Sequence, residues 1–263
     1  MAARVPALAR VIRFVLPLAV VTVIWQAVVS LGFVDSSLVP SPVQIARSAA
    51  ALLYPRPLLF QYLAVSLWRV GAGFALGSLI GVSLGVLMGS SSSVRFALKP
   101  VLDLLIAVPT ICWVPLLLVT VGMGDPTIII AVFLGCVFPV TYTSMNGARA
   151  VPRDVVLAAN AMGAERAAVV LLVLVPGALP SIITGLRLAV GYCWRALVGA
   201  EMLAAAASGI GYMIYAARAF YDVNVMFVGL AIISVAGLAM DYMILGAAER
   251  RTVQRWGMVT KTW

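Results

Sequence analysis

The side chains that could carry out covalent chemistry are few in this sequence. It contains no histidine, the residue that most often serves as physiological acid or base and as metal ligand. Its three cysteines, Cys112, Cys136 and Cys193, are far apart and have neither metal-site nor disulfide spacing. Neither Lys99 nor Lys261 follows the glycine-rich pattern of a phosphate-binding loop. We therefore expect no catalytic residue, metal site or cofactor in this chain, and no ATP hydrolysis by it.

Ionisable residues inside apolar segments are the next candidates for a functional site, because charges in a bilayer are costly and usually functional. Arg195 lies beside Trp194, and Arg187 precedes it by eight residues, about two helical turns, so both arginines share roughly one helix face. Two interpretations stay open for Arg195. It attracts an anionic solute along a translocation pathway, or it pairs with Glu201 or with Asp241 of a neighbouring helix. We predict that Arg187, Trp194, Arg195 and Glu201 line part of a solute translocation pathway.

A second candidate for the pathway is a proline-rich break. Pro109 and Pro115 are six residues apart and flank Trp113. Proline removes a backbone donor and kinks a helix. Irregular backbone at membrane depth is tolerated only where protein or a water-filled cavity surrounds it. We favour a solute pathway here over the alternative of an ordinary proline kink packed on its neighbours.

The elements that must position these residues are transmembrane helices. The chain of 263 residues is 63% hydrophobic and 10% charged, with a mean hydropathy of +1.11, whereas soluble domains carry about 25% charged residues. This composition excludes a soluble enzyme, a disordered chain and a secreted disulfide scaffold. Charge-poor stretches predict helices over about 13–34, 64–88, 100–121, 126–147 and 224–246. Hydropathy leaves a further helix open between 167–186 and 181–205.

The net charge of +9 indicates the orientation of the chain in the membrane, and we do not interpret it as evidence of nucleic-acid binding. With a cytoplasmic N-terminus, the inside segments hold 13 of the 18 basic residues and the outside loops hold three, as the positive-inside rule requires. The basic tail is then cytoplasmic and is expected to contact anionic membrane lipid through Arg250, Arg251, Arg255 and Lys261.

Glycines recur at every fourth residue of the second predicted helix, from Gly73 to Gly89. Glycine lets helix backbones approach closely in lipid. This pattern favours tight packing inside one subunit over a seam between two subunits.

The most informative segment is the long inside loop at about 148–180. It contains Ala158, Ala159, Gly163 and, after nine more residues, Val173-Leu174-Val175-Pro176. This spacing resembles the conserved loop of permeases in ATP-binding-cassette (ABC) importers: Glu-Ala-Ala, three residues, Gly, nine residues, Ile-x-Leu-Pro. Leu157 stands where that family has Glu, and Val173 and Val175 stand where it has Ile and Leu. Other matches, such as Leu38-Val-Pro40-Ser41-Pro42 and Gly209-x-Gly211, are similar to the nitrate, sulfonate, taurine and bicarbonate branch.

The resemblance implies an all-α membrane protein with the type I ABC importer permease fold, six transmembrane helices and one domain over 1–263. It implies that Ala158 and Ala159 form the docking face of a coupling helix, that Gly163 makes its turn, and that Pro176 ends a second loop helix. The fifth transmembrane helix would then be 181–205.

The resemblance also implies the partners. Two cytoplasmic ATPase subunits would bind ATP and Mg²⁺, a periplasmic or lipid-anchored protein would deliver the solute, and a second permease copy would complete the pathway as a homodimer. The chain would lie in a bacterial cytoplasmic membrane and import a small anion such as a sulfonate, taurine, nitrate or bicarbonate.

Two other classes of protein remain as alternatives. A secondary transporter or channel would usually show internal repeats, and it would leave the docking loop unexplained. A membrane-embedded enzyme would need acid–base groups, and the sequence has no histidine and no pair of carboxylates in one span.

Overall fold

The computed structural model describes the backbone of residues 7–54 and 57–248, and the side chains of residues 16–54 and 57–240. Every regular element in these ranges is helical. The helices in chain order are α1 (Ala7–Ser30), α2 (Pro42–Leu53), α3 (Leu58–Ser90), α4 (Ser92–Ile106), a 3₁₀ turn (Thr110–Cys112), α5 (Trp113–Thr120), α6 (Asp125–Ala150), α7 (Arg153–Ala161), α8 (Arg166–Val169), a π-helical turn (Val170–Leu174), α9 (Val175–Ala204), α10 (Ile210–Ala219) and α11 (Val223–Ala248).

Four helical stretches in the described part of the chain are long and apolar enough to cross a membrane: Leu58–Ser90, Asp125–Ala150, Arg166–Ala204 and Val223–Met240. The bent pair Ser92–Ile106 and Thr110–Thr120 makes a fifth if it is counted as one span. The first predicted span, 13–34, overlaps α1, which ends at Ser30 and is fully described only from Leu16 onward. The all-α membrane architecture is thus confirmed, while the count of six spans stays a prediction.

Helices α3 and α6 pack closely, and the buried core extends from this contact to α9. The α3 glycines at every fourth position face α6 side chains that also recur at every fourth position. A Cβ atom on any of these glycines would lie 2.5–2.9 Å from the facing side chain. The facing pairs are Gly73 with Val132, Gly77 with Cys136, Gly81 with Val140, Gly85 with Ser144 and Gly89 with Ala148. The glycine face is therefore occupied within one subunit, and a seam between two subunits is wrong for these positions.

The segment from Arg166 to Ala204 is one continuous helical run. The resemblance placed Pro176 at the end of a loop helix, but Pro176 is the second residue of α9 and the helix continues through it. The physical reason is the π-helical turn just before it, in which the Val175 N–H donates to the Val170 carbonyl. A wider turn relieves the crowding that a proline ring causes against the preceding carbonyl.

Candidate functional site

The coupling-loop residues lie at the end of the bundle that the charge pattern places in the cytoplasm. Helix α7 follows α6 after two residues, Val151 and Pro152. Its outer surface carries large apolar side chains, since Leu157 is 63% exposed and Met162, just beyond the last turn, is 82% exposed. The exposed polar residues of α7 are Arg153, Asp154 and Asn160. Ala158 is exposed as well. An apolar surface at the end of a bundle, outside the predicted spans, is typical of a protein contact.

Ala159 lies on the other side of α7 and is only 5% exposed. The resemblance implied that both alanines form the docking face. In this chain Ala159 is covered by the chain itself, so Ala158 is the member of the pair that is open to a partner.

The turn at Gly163 ends α7 in a left-handed cap. Gly163 has φ +84°, a conformation that costs other residues roughly 1–2 kcal/mol. The Ala164 N–H donates to the Ala159 carbonyl at 3.1 Å and the Gly163 N–H donates to the Asn160 carbonyl at 3.0 Å. These two bonds make a Schellman motif, which turns the chain sharply from α7 toward α8.

At the opposite end of the bundle, α3 and α9 share a buried ionic network. Arg69 is 3% exposed and Glu201 is 1% exposed. The Arg69 guanidinium donates to a Glu201 carboxylate oxygen at 2.8 Å and to Asp125 at 2.6 Å. It also donates to the Ser208 carbonyl at 2.7 Å. One guanidinium therefore ties α3, the first turn of α6, the end of α9 and the following loop together.

The Glu201 carboxylate is fully provided with hydrogen-bond donors. The Ser66 hydroxyl donates to it at 2.8 Å, and the Gly211 N–H donates at 2.9 Å. Ser66 in turn accepts from the Ile210 N–H at 3.0 Å. A Cβ atom at Gly209 would lie 2.5 Å from the Glu201 carboxyl carbon, so this glycine is required for the loop to close over the carboxylate.

This network decides one of the alternatives left open by the sequence. Glu201 pairs with Arg69 and does not pair with Arg195. Sequence reasoning selected Glu201 but missed Arg69, Ser66 and Asp125 as its partners. The available signal was Arg69 itself, a charge within the long apolar helix α3.

The proline-rich break forms a sharp corner. Helix α4 and the segment Thr110–Thr120 are bent by 86°, with Pro109 at the corner. Pro109 and Pro115 are exposed and Trp113 is half-buried. A cavity of about 230 Å³ lies against the corner, lined by Ile106, Val108, Pro109, Thr110, Leu134, Gly135, Phe138, Pro139 and Tyr192.

The two arginines of α9 point away from the core, whereas the neighbouring tryptophan points into it. Arg187 and Arg195 are exposed. The Arg195 Nε donates to the Gly191 carbonyl at 2.9 Å, and its guanidinium carbon lies 5.3 Å from the centre of the Tyr192 ring. Trp194 is buried, and its indole N–H donates to the Ile233 carbonyl of α11 at 3.0 Å. Trp194 thus packs α9 on α11.

The predicted site residues therefore do not form one cluster. Ala158, Ala159 and Gly163 lie in the α7 loop, Glu201 lies in the buried ionic network, and Pro109, Trp113 and Pro115 lie at the corner. The others, Pro176, Arg187, Trp194 and Arg195, lie along α9. Asp241, the other suggested partner of Arg195, has a side chain outside the described residues, as do the four basic residues of the tail. Among the described residues, no group of three or more Cys, Asp or Glu side chains could hold a metal ion.

Comparison with known sequences gives a consistent set of relatives. A family model described as binding-protein-dependent transport system inner membrane component matches residues 77–252. The taurine transport system permease protein of Escherichia coli (strain K12) is 33% identical over 92% of this chain and 89% of its own length. The nitrate import permease protein of Synechocystis is 32% identical, over 89% of this chain and 87% of its own length.

A solved structure shares the architecture. The inward-facing MetNI methionine ABC transporter has a chain that superimposes with a TM-score of 0.63, at 21% identity, over 75% of this chain and 95% of the MetNI chain. The fold is therefore that of a type I ABC importer permease.

Proposed function

The chain belongs to the inner membrane components of binding-protein-dependent transport systems and is the permease of an ABC importer in the cytoplasmic membrane, and on this premise we propose that it carries a small anionic solute into the cell. The support for an anion is chemical. Two relatives are named for taurine, which carries a sulfonate, and for nitrate. The exposed arginines of α9, Arg187 and Arg195, are positive groups that could meet such a solute.

The observation that carries the proposed mechanism is the exposed apolar surface of α7. Leu157, Ala158 and Met162 are presented to the cytoplasmic side, where a second protein can cover them. We propose that two ATPase subunits, each binding ATP and Mg²⁺, dock on α7 in the two copies of a permease pair. ATP-driven closure of the ATPases would then move α7, and α7 would pass this movement to α9 through the helical run that begins at Arg166.

The remaining parts of the assembly follow the same proposal. An external solute-binding protein would deliver the solute to the outer ends of the helices, and a second copy of this chain would close the pathway. The basic tail, which lies outside the described residues, would contact anionic lipid. This chain would hold no cofactor of its own.

The proposal is tested by purifying the chain in mild detergent and identifying the proteins that accompany it. An ATPase subunit and a solute-binding protein are expected. The purified complex, placed in liposomes with its binding protein, should take up labelled taurine or nitrate only when ATP is supplied. Uptake by the chain alone, without ATP or partners, would establish the channel or secondary-transporter alternative instead.

A variant of α7 tests the docking surface. Ala158→Trp adds a large side chain to an exposed position of α7, so the chain should insert and fold normally but lose the ATPase subunit on purification, by about tenfold or more for a disrupted interface centre. Ala50→Trp is the matched control, because Ala50 is an exposed alanine of the short helix α2 at the other end of the bundle. It should retain the ATPase. Equal retention in both variants would show that α7 is not the docking site.

A further inference from the structure

We propose that the cavity at the α4–α5 corner, together with Arg195, is a transient binding site for an oxyanion on the transport pathway. The inference rests on the proposed function, because it assigns a stage of solute passage to one place in the permease. It goes further by naming the side chains that hold the anion after the solute-binding protein has released it.

The first observation is the position of Arg195. It precedes the outer end of α9, Ala204, by nine residues, which is about 13 Å at about 1.5 Å per residue. Arg195 thus lies within the apolar stretch Arg166–Ala204, which is long enough to cross a hydrocarbon layer of about 30 Å. Lipid cannot solvate a guanidinium there, so Arg195 must face protein or a watery cavity.

The second observation is the electrostatic state of Arg195. The ion pairs within the described residues join Arg69 to Asp125 and to Glu201, and Lys99 to Asp103. Arg195 takes part in none of these pairs. Its Nε is held by the Gly191 carbonyl and its plane lies near the Tyr192 ring. Neither contact is with an acidic group, so the positive charge of Arg195 is uncompensated among the described residues.

The third observation is that Tyr192, on which Arg195 rests, is also part of the cavity wall. Thr110, from the 3₁₀ turn of the corner, lines the same cavity. Both residues approach Gly135 of α6, where an added Cβ would lie 3.6 Å from the Tyr192 carbonyl oxygen and 3.7 Å from the Thr110 methyl carbon. The corner, α6 and α9 therefore meet at this cavity. Arg195 is not itself a lining residue, and it is linked to the cavity by its contact with Tyr192.

The composition of the wall favours an anion. Among the residues that line the cavity, only Thr110 and Tyr192 have a polar side-chain group, and the others are apolar or glycine. No lining residue is acidic. A guanidinium donates two parallel hydrogen bonds to a sulfonate, carboxylate or nitrate group, and a hydroxyl can donate a third.

The size of the cavity limits the solute. Its volume of about 230 Å³ is below the range of about 300–1,000 Å³ typical of sites for drug-sized ligands. It therefore suits a small oxyanion, such as nitrate or the sulfonate group of taurine, better than a large organic anion.

The test measures uptake and ATP hydrolysis together, using the full complex with its binding protein in liposomes and labelled taurine or nitrate. Arg195→Met should reduce the maximal uptake rate by about tenfold or more, since it removes a charge-assisted pair of hydrogen bonds. The half-saturating solute concentration should stay unchanged, because the binding protein sets it. ATP hydrolysis stimulated by the binding protein should continue, so less solute enters per ATP. Arg195→Lys should restore part of the uptake, because it keeps the charge.

Two matched variants control for charge and for structure. Arg218→Met removes an arginine that lies in the same way over a tyrosine, 5.7 Å from the Tyr215 ring, at the end of α10, and it should transport normally. Asp241→Asn should also leave uptake unchanged. If Asp241→Asn reproduces the loss seen in Arg195→Met, then Arg195 serves a structural ion pair and the proposal is overturned.

A second readout needs no transport. Cys112 is exposed in the same 3₁₀ turn as Thr110, whereas Cys136 and Cys193 are buried. Ethanesulfonate should slow the alkylation of Cys112 in the purified complex, and Arg195→Met should abolish this protection. Unprotected alkylation in the wild type, full uptake by Arg195→Met, or equal loss of ATPase stimulation in Arg195→Met and Arg195→Lys would each overturn the site. Absence of ATP-dependent uptake in the wild type would count against the proposed function, while the alkylation result would still decide the site.

Discussion

Arg69 and Glu201 are charges that the fold has buried completely and provided with partners. Such a pair adds little net stability compared with an apolar core, because both charges lose their hydration. Replacing only one of the two residues is strongly destabilising, however, since the remaining charge is left in an apolar environment without a partner. The pair is therefore expected to fix the arrangement of helix ends more than to raise the stability of the bundle.

This leads to a prediction for single and double replacements. Arg69→Met should lower the free energy of unfolding by about 3–5 kcal/mol, because it leaves the Glu201 carboxylate buried without its cation. Thermal unfolding of the purified protein in detergent measures the loss. The double variant Arg69→Met/Glu201→Gln should recover part of it, as the unpaired charge is gone. Arg47→Met, at an exposed arginine of α2, serves as the control. A double variant less stable than the sum of the two single ones would contradict this account.

Leu157 is the position at which this chain departs from the family's glutamate. Its side chain is 63% exposed on α7, so its apolar character is not needed for packing within this chain. Leu157→Glu should therefore change the free energy of unfolding by no more than about 0.5 kcal/mol, as surface changes usually do. The amount of ATPase that co-purifies should fall if the partner's groove is apolar at this point. Unchanged or increased ATPase binding would show that the groove still accepts the family residue.

At the scale of helices, the α3–α6 contact depends on the absence of side-chain atoms. Gly77 has no room for a methyl group, since its Cβ would lie 2.5 Å from the Cys136 Cβ. Gly71 precedes the packed series in the same helix, and a methyl group added there would meet no other atom within 4 Å. A methyl group would therefore clash at Gly77 and would find open space at Gly71, although both glycines lie in the same helix.

Alanine at each position separates packing from helix propensity. Gly77→Ala should destabilise the protein by about 1–3 kcal/mol, as overpacking usually does. Gly71→Ala should be neutral or stabilising by up to about 1 kcal/mol, because alanine favours a helix. Unfolding of the two variants in the same detergent provides the comparison. Similar effects of both changes would mean that the close approach of α3 and α6 is not sustained in the membrane.

At the scale of the whole molecule, the corner and α9 leave a guanidinium and a cavity open at the surface of a single chain. Lipid is a poor cover for Arg195, and a second polypeptide is a good one. We therefore expect two differently tagged copies of this chain, expressed together, to co-purify in mild detergent. Recovery of one tag only, with a different permease in its place, would show that the pair is a heterodimer.

The class of molecule could be predicted from the sequence, because a hydrophobic composition and apolar stretches of membrane-spanning length indicate directly that the chain lies in a bilayer. The α3 glycines also predicted close packing correctly, since their spacing is local information. The partners of Glu201 could not be predicted in this way: Arg69 is 132 residues distant along the chain, and no local pattern connects them. Pro176 was misplaced for a related reason, because the π-helical turn that accommodates it leaves no compositional mark.

That turn has a geometric consequence for the long helical run from Arg166 to Ala204. A π-helical turn holds one residue more than an α-helical turn, and one residue corresponds to about 100° of rotation about the axis. The angular phase of α9 is therefore offset from that of α8. A helical-wheel projection drawn across the whole run would assign residues on the two sides of the turn to the wrong common face. The residues before the π-helical turn and the residues of α9 after it must therefore be placed on separate helical wheels.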